Sequence, residues 1–222
     1  MSNTEKTVTV WGRLSFPAFT AQEAYDFSQR GSYPAKDVAS AAPSFLLVLN
    51  DTQWEKFRKH CVEVFLPYCE QQHKKGEKKD AMSPADVKKL VEAIEDPENA
   101  SVNTPAKVVG DKTLDLAPEG VMSVKCIGGK GTDIQLKAIV NSEAELSVPD
   151  PDILSFPVIK PIGATVHEMY AGANVAATLN LYAYFNGKHP GFSAGVSTAV
   201  FRSDNDRFGG SVSVDEDEIF LD

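Results

Sequence analysis

The chain has 222 residues, and its 22 lysines and arginines face 31 aspartates and glutamates, giving a net charge of −9. Apolar residues make up 42% and charged residues 24%, which supplies enough apolar material for a core and excludes disorder of the whole chain. The densest apolar run, Phe45 to Leu49, falls far short of the roughly 20 residues of a membrane span.

The opening residues carry no apolar stretch behind a basic end, so no signal peptide is expected. Residues 7–16 alternate. Val8, Val10, Leu14 and Phe16 share one parity, and Thr9, Trp11, Arg13 and Ser15 the other, which predicts a strand with Phe16 on its buried face. Residues 17–43 read as a loop with a short helix near 21–29. The run 45–49 predicts a short, fully buried strand. Thr52 with Glu55 forms a capping-box pattern. Trp54, Phe57, Cys61, Phe65 and Tyr68 then recur at helical spacing, predicting a helix over 53–66 that Pro67 ends or kinks. Lysines crowd 71–81 beside acidic residues, the composition of a solvated loop. Ser83-Pro84 opens a second helix with Val87, Leu90, Val91 and Ile94 as its stripe. Residues 95–120 read as a connector. Strands are predicted at 120–127 and 133–140, joined by a basic hairpin tip at Gly128-Gly-Lys-Gly-Thr132. The prolines of 141–165 leave little room for regular structure. Residues 173–185 form the longest predicted strand, with 193–202 pairing to it across a loop from Asn186-Gly187 to Gly191. The chain ends in an acidic segment, 215–222, with five carboxylates around Ile219, Phe220 and Leu221. Helices do not alternate with strands, so a parallel doubly wound sheet is excluded. A small antiparallel barrel with a helical insertion fits.

Cys61, Cys69 and Cys126 include no Cys-x-x-Cys pair, so neither a disulfide framework nor a zinc ribbon is expected. The thiols read as reduced, in a cytoplasmic protein. The glycine-rich turn at 128–132 lacks the spacing and the following helix of a phosphate-binding loop. Histidines are scattered, no nucleophile elbow occurs, and no carboxylates are paired, so no catalytic residue, cofactor or metal is assigned.

Two patterns point to binding. On the long strand Tyr182 and Tyr184 share the outer parity, as Trp11 does on the first strand, and Lys125 and Lys137 sit between apolar neighbours on theirs. Aromatic rings for bases and cations for phosphates are what single-stranded nucleic acid requires. Packing of the same rings under helices or loops is the plainer alternative. The acidic tail with its apolar cluster suits docking into a basic, apolar-lined pocket, on a partner or in this chain's own groove.

The ordered set Arg13-Leu-Ser-Phe16, Ser44 to Leu49, Tyr170-Ala-Gly172, Arg202 to Phe208-Gly-Gly210 and the acidic tail resembles a family of bacteriophage single-stranded-DNA-binding proteins, long catalogued as an uncharacterised phage domain. The resemblance implies a mainly β fold: a small antiparallel oligonucleotide/oligosaccharide-binding (OB) barrel over 1–210, with a two-helix insertion at about 52–96 and a disordered acidic tail at 211–222. It implies sequence-independent binding of single-stranded DNA in replication, recombination and repair, in the cytoplasm of the infected host, without catalysis or a membrane. Arg13 matches the motif. Trp11, Lys125, Lys137, Tyr182 and Tyr184 join it as DNA-binding candidates by strand parity. Asp215, Glu216, Asp217, Glu218 and Phe220 are expected to dock replication proteins such as polymerase or helicase and to compete with DNA. A homodimer is left open. Two other classes compete. A phage assembly protein would use the barrel for protein contacts. A nucleic-acid-processing enzyme would need a carboxylate cluster that the sequence does not mark.

Overall fold

The computed structural model describes residues 4–109, 117, 119–139, 159–162 and 169–208. It is mainly β with a few helices. The strands are β1 (Thr7–Ala18), β2 (Ser44–Leu49), β3 (Ala106–Val108), β4 (Met122–Ile127), β5 (Gln135–Ile139), β6 (Ile159–Pro161), β7 (Asn174–Asn186), β8 (His189–Gly195) and β9 (Thr198–Ser203). The helices are α1 (Ala21–Ser28), α2 (Asp51–His60), α3 (Leu66–Lys74) and α4 (Pro84–Glu95).

β1 pairs with β2 on one side and β7 on the other. β2 pairs with β4, β4 with β8, and β8 with β7. These five strands therefore follow one another round a closed circuit of ladders. β9, β5 and β6 extend from β7 beyond it. Among the described residues two ladders are parallel, β4 with β8 and β5 with β9, and the rest are antiparallel. The parallel ladders overturn the expected hairpin at 128–132. β8 and β9 run along one edge of β7, with Val196 and Ser197 between them. β4 meets the part before this break and β5 the part after it: the Val196 N–H bonds to the Ile127 carbonyl, and the Gln135 N–H to the Ser197 carbonyl. The segment 128–134 thus steps across the break instead of folding back. The β7–β8 connection is tighter than expected. Asn186 pairs with His189 and Gly187 takes φ 62, so the turn has two central residues and Gly191 lies inside β8.

Inside the circuit, Val8, Val10, Leu14, Phe45, Leu47, Leu49, Val124, Cys126, Leu179, Leu181 and Phe192 form one apolar core. The helical insertion packs against it through Phe57, Phe65, Leu66, Leu90 and Ile94, and the Phe65 and Phe192 rings stand 5.5 Å apart. Each such buried side chain contributes about 1.5–3 kcal/mol of transfer free energy. Asn50, not Thr52, caps α2, accepting the Gln53 N–H at 3.0 Å. Pro67 does not end the helix either. Cys61–Phe65 is wound as a π-turn in which the Leu66 N–H reaches back to the Cys61 carbonyl. That widened turn leaves room for a ring that lacks an N–H and would otherwise press on the preceding turn. Thr20 and Glu23 form the capping box of α1.

All three cysteines are free and buried. Burial pushes their thiols up, that of Cys69 to about 12. No described helix is long and apolar enough to cross a membrane.

Candidate nucleic-acid interface

The outer surface of the circuit carries two concentrations of rings and cations. The first lies where β4, β8 and the far half of β7 meet. β4 presents Ser123, Lys125 and Ile127 outward, and β2 adds Leu46, whose register partner is Lys125. β3 lays Lys107 opposite Ser123. A groove of about 390 Å³ opens here, lined by Leu46, Lys107, Lys125, Ile127, Tyr184 and Ser193 among others. None of its described lining residues is acidic, in a chain of net charge −9. Lys107 and Lys125 are both exposed.

The tyrosines beside it lie down on β8 for a local reason. Tyr184 pairs with Gly191, and Tyr182 lies diagonally across from Gly195. A Cβ on Gly191 would come within 2.9 Å of the Tyr184 ring, and one on Gly195 within 3.5 Å of Tyr182. Glycine at both positions lets the rings rest flat on backbone. The ring centroids are 6.4 Å apart with planes tilted by 42°. Tyr182 is 36% exposed and Tyr184 half-buried. Two rings, two cations and an apolar floor can stack bases and neutralise phosphates.

The second concentration lies on β1, β9 and β5. Trp11, Ala176, Val200 and Lys137 stand in one cross-strand row. Trp11 packs on Ala176 and Val200, with the Arg202 guanidinium 4.2 Å from its ring centroid. Burial pushes the Arg202 guanidinium down from its ordinary range. Lys137 is half-buried at the end of that row, away from the groove.

Arg13 is 5% exposed. Its Nε donates to the Gly172 carbonyl and its Nη2 to the Asp206 carbonyl, both at 2.6 Å, and its Nη1 meets Glu119 at 3.2 Å. The Phe208 ring lies 4.6 Å from the guanidinium carbon. Tyr170 donates to Asp204 and stacks under Arg207. Gly172 has φ 106, and a Cβ there would strike the Asp206 carbonyl at 2.1 Å. The first-strand arginine, the Tyr-x-Gly and the Arg-to-Phe segment, far apart in sequence, thus meet as one clasp. The clasp fixes Phe208 against Val48, Val109 and Ala117. Val48 is two residues from Leu46 on the outer face of β2, so Phe208 packs near the groove. The tail residues Asp215, Glu216, Asp217, Glu218 and Phe220 lie outside the described residues.

The structure therefore brings Lys125, Tyr182 and Tyr184 together, sets Trp11 and Lys137 in a separate row, and buries Arg13. Sequence parity missed Lys107, because a three-residue strand has no readable period. It also missed Leu46, which floors the groove rather than lying in a fully buried strand. Among the described residues no cluster of His, Cys, Asp or Glu could hold a metal ion.

No family model matches the chain, and no curated protein matches it. Solved structures that the chain resembles include phage single-stranded-DNA-binding proteins. The protein from bacteriophage Enc34, in complex with single-stranded DNA, is 14% identical, with a TM-score of 0.49 over 92% of this chain and 90% of that one. The gp2.5 protein encoded by bacteriophage T7 is 12% identical, with a TM-score of 0.47 over 93% and 97%.

Proposed function

We propose that this chain is a bacteriophage single-stranded-DNA-binding protein that holds its ligand on the outer face of β4, β8 and β7. The observation that carries this reading is the groove with Lys107 and Lys125 beside the paired Tyr182 and Tyr184 and, among the described residues, no acidic lining. Bases stack on the rings for about 1–3 kcal/mol each, while the lysines displace counterions from phosphates. Neither contact reads a base edge, so binding is independent of sequence. The closed circuit of five strands is of the OB type, with α2 to α4 as its insertion. Trp11 and Lys137 form a second row of contacts on the same outer surface, and Arg13 acts from within by fixing the clasp. Phe208, which packs against Val48 two residues along β2 from Leu46, precedes the acidic segment 215–222 in sequence. That segment competes with DNA for the groove and docks replication proteins when DNA displaces it. The setting is phage DNA replication, recombination and repair in the host cytoplasm.

The test is anisotropy of a labelled oligothymidine across a salt series, against duplex of the same length. Wild type should bind the single strand and not the duplex. A Tyr182→Ala/Tyr184→Ala double variant should lose about 2–6 kcal/mol, two stacking contacts. Absence of single-strand binding at low salt would refute the reading and return the chain to an assembly role.

A further inference from the structure

We propose that Phe16 is a third base-stacking surface at the β1 end of the same groove, so that a bound strand crosses the sheet from Tyr184 over Lys125 to Phe16. This deepens the function proposed above and rests on it. Alternation along β1 would place Phe16 inward with Val8, Val10 and Leu14. Its side chain is instead 72% exposed. The register explains the reversal. Ser15 pairs with Leu46 and Ala18 with Ser44, so β1 carries one residue more than β2 across this step, a bulge that re-aims what it carries. Phe16 itself has φ 45, a region costly for a bulky side chain and easily occupied by glycine or asparagine.

Neither packing nor backbone preference therefore accounts for a phenylalanine here. A ring 72% exposed contributes little burial, and the bulge would form with less strain around a glycine. A ligand that uses the ring does account for it. The position fits: Leu46, the partner of Ser15, lines the groove and also pairs with Lys125. From β7 through β8, β4 and β2 to β1 is four interstrand steps of about 4.8 Å, or roughly 19 Å. Lys125 stands between the two aromatic ends of that path. The occupant this spacing selects is one continuous single strand, with bases on the rings and a phosphate at the lysine.

The test measures affinity for oligothymidines of about 4 to about 16 nucleotides, the range of site sizes for such folds, for wild type, Phe16→Ala, Phe16→Gly and Phe16→Tyr. On oligomers long enough to span the path, Phe16→Ala and Phe16→Gly should weaken binding about fivefold or more, the lower end of ring–base stacking. On the shortest oligomers they should match wild type, and Phe16→Tyr should match it at every length. Phe16→Gly relieves the backbone, so its melting temperature should equal or exceed that of wild type while its binding stays as weak as that of Phe16→Ala. Equal affinity of Phe16→Ala and wild type at every length overturns the inference alone. So does a loss of the same size on short and long oligomers, or recovery by glycine. No binding by wild type at any length overturns both the inference and the function beneath it.

Discussion

Arg13 and Lys125 both project from the outside of the circuit, separated by one strand, yet their surroundings are opposite. Arg13 is enclosed by two carbonyls, a carboxylate and a phenylalanine ring. Lys125 is exposed over a groove whose described lining residues include no carboxylate. Ring-and-cation pairing occurs in both places, so composition alone does not mark a nucleic-acid surface. What distinguishes them is whether the chain itself supplies the cation's partners. Internal acceptors take three of the five guanidinium N–H groups of Arg13 and a ring covers its face, whereas an ammonium facing water keeps all three of its donors.

The largest expected effect tests the engaged side of this contrast. Lys6 and Asp80 form a buried ion pair, and Asp80 also accepts the Ala183 N–H at 3.0 Å. This carboxylate ties the loop before α4 to the strand between Tyr182 and Tyr184. Asp80→Ala strands a buried ammonium and should cost about 3–5 kcal/mol, read as a lower denaturant midpoint.

Next come the two cations themselves. Arg13→Ala should cost about 3 kcal/mol, because charged hydrogen bonds contribute roughly 1.5–3 kcal/mol each and are not additive. Affinity for single strands per folded molecule should change little. Lys125→Ala should do the reverse. Its stability should stay within about 0.5 kcal/mol of wild type, as for other exposed substitutions, while the log–log salt slope of binding falls by about 0.7. If Arg13→Ala lowered the salt slope and left stability intact, the contrast between the two sites would be reversed.

How much of this contrast the sequence reveals follows from the range of each interaction. Period-two alternation locates β1, β4 and β7 and puts Tyr182, Tyr184 and Lys125 on the outer face, because parity is a local property of extended chain. Parity also puts Arg13 outside, and it is there; what encloses it is a segment 193 residues away, which no local pattern announces. Phe16 reverses its face because one inserted residue shifts every later side chain, and that insertion is visible only against the partner strand. The π-turn before Pro67 and the parallel ladders of β4 and β5 are likewise settled by what they pack against. The glycines under the tyrosines were in plain sight, but only the register of β7 on β8 gives them meaning.

The smallest effect returns to the enclosed side. His60 closes α2 half-buried, and its Nε2 is buried without a hydrogen-bond partner among the described residues. Burial holds the imidazole below its ordinary range; a hydrogen bond with the Glu5 backbone pulls the other way, and the nearby Lys56 charge adds to the lowering. The sign follows directly. The unfolded chain takes up the proton near pH 6.5, while the folded chain resists it to lower pH. Folding is therefore most favourable with His60 neutral, and that contribution is lost as pH falls from about 6.5 through the lowered folded value. Melting temperatures measured between about pH 7.5 and 5 should decline on the acid side, and His60→Gln should reduce that decline. An unchanged acid decline in the variant would mean that His60 is not a source of this pH dependence, and that the end of α2 accommodates an imidazolium.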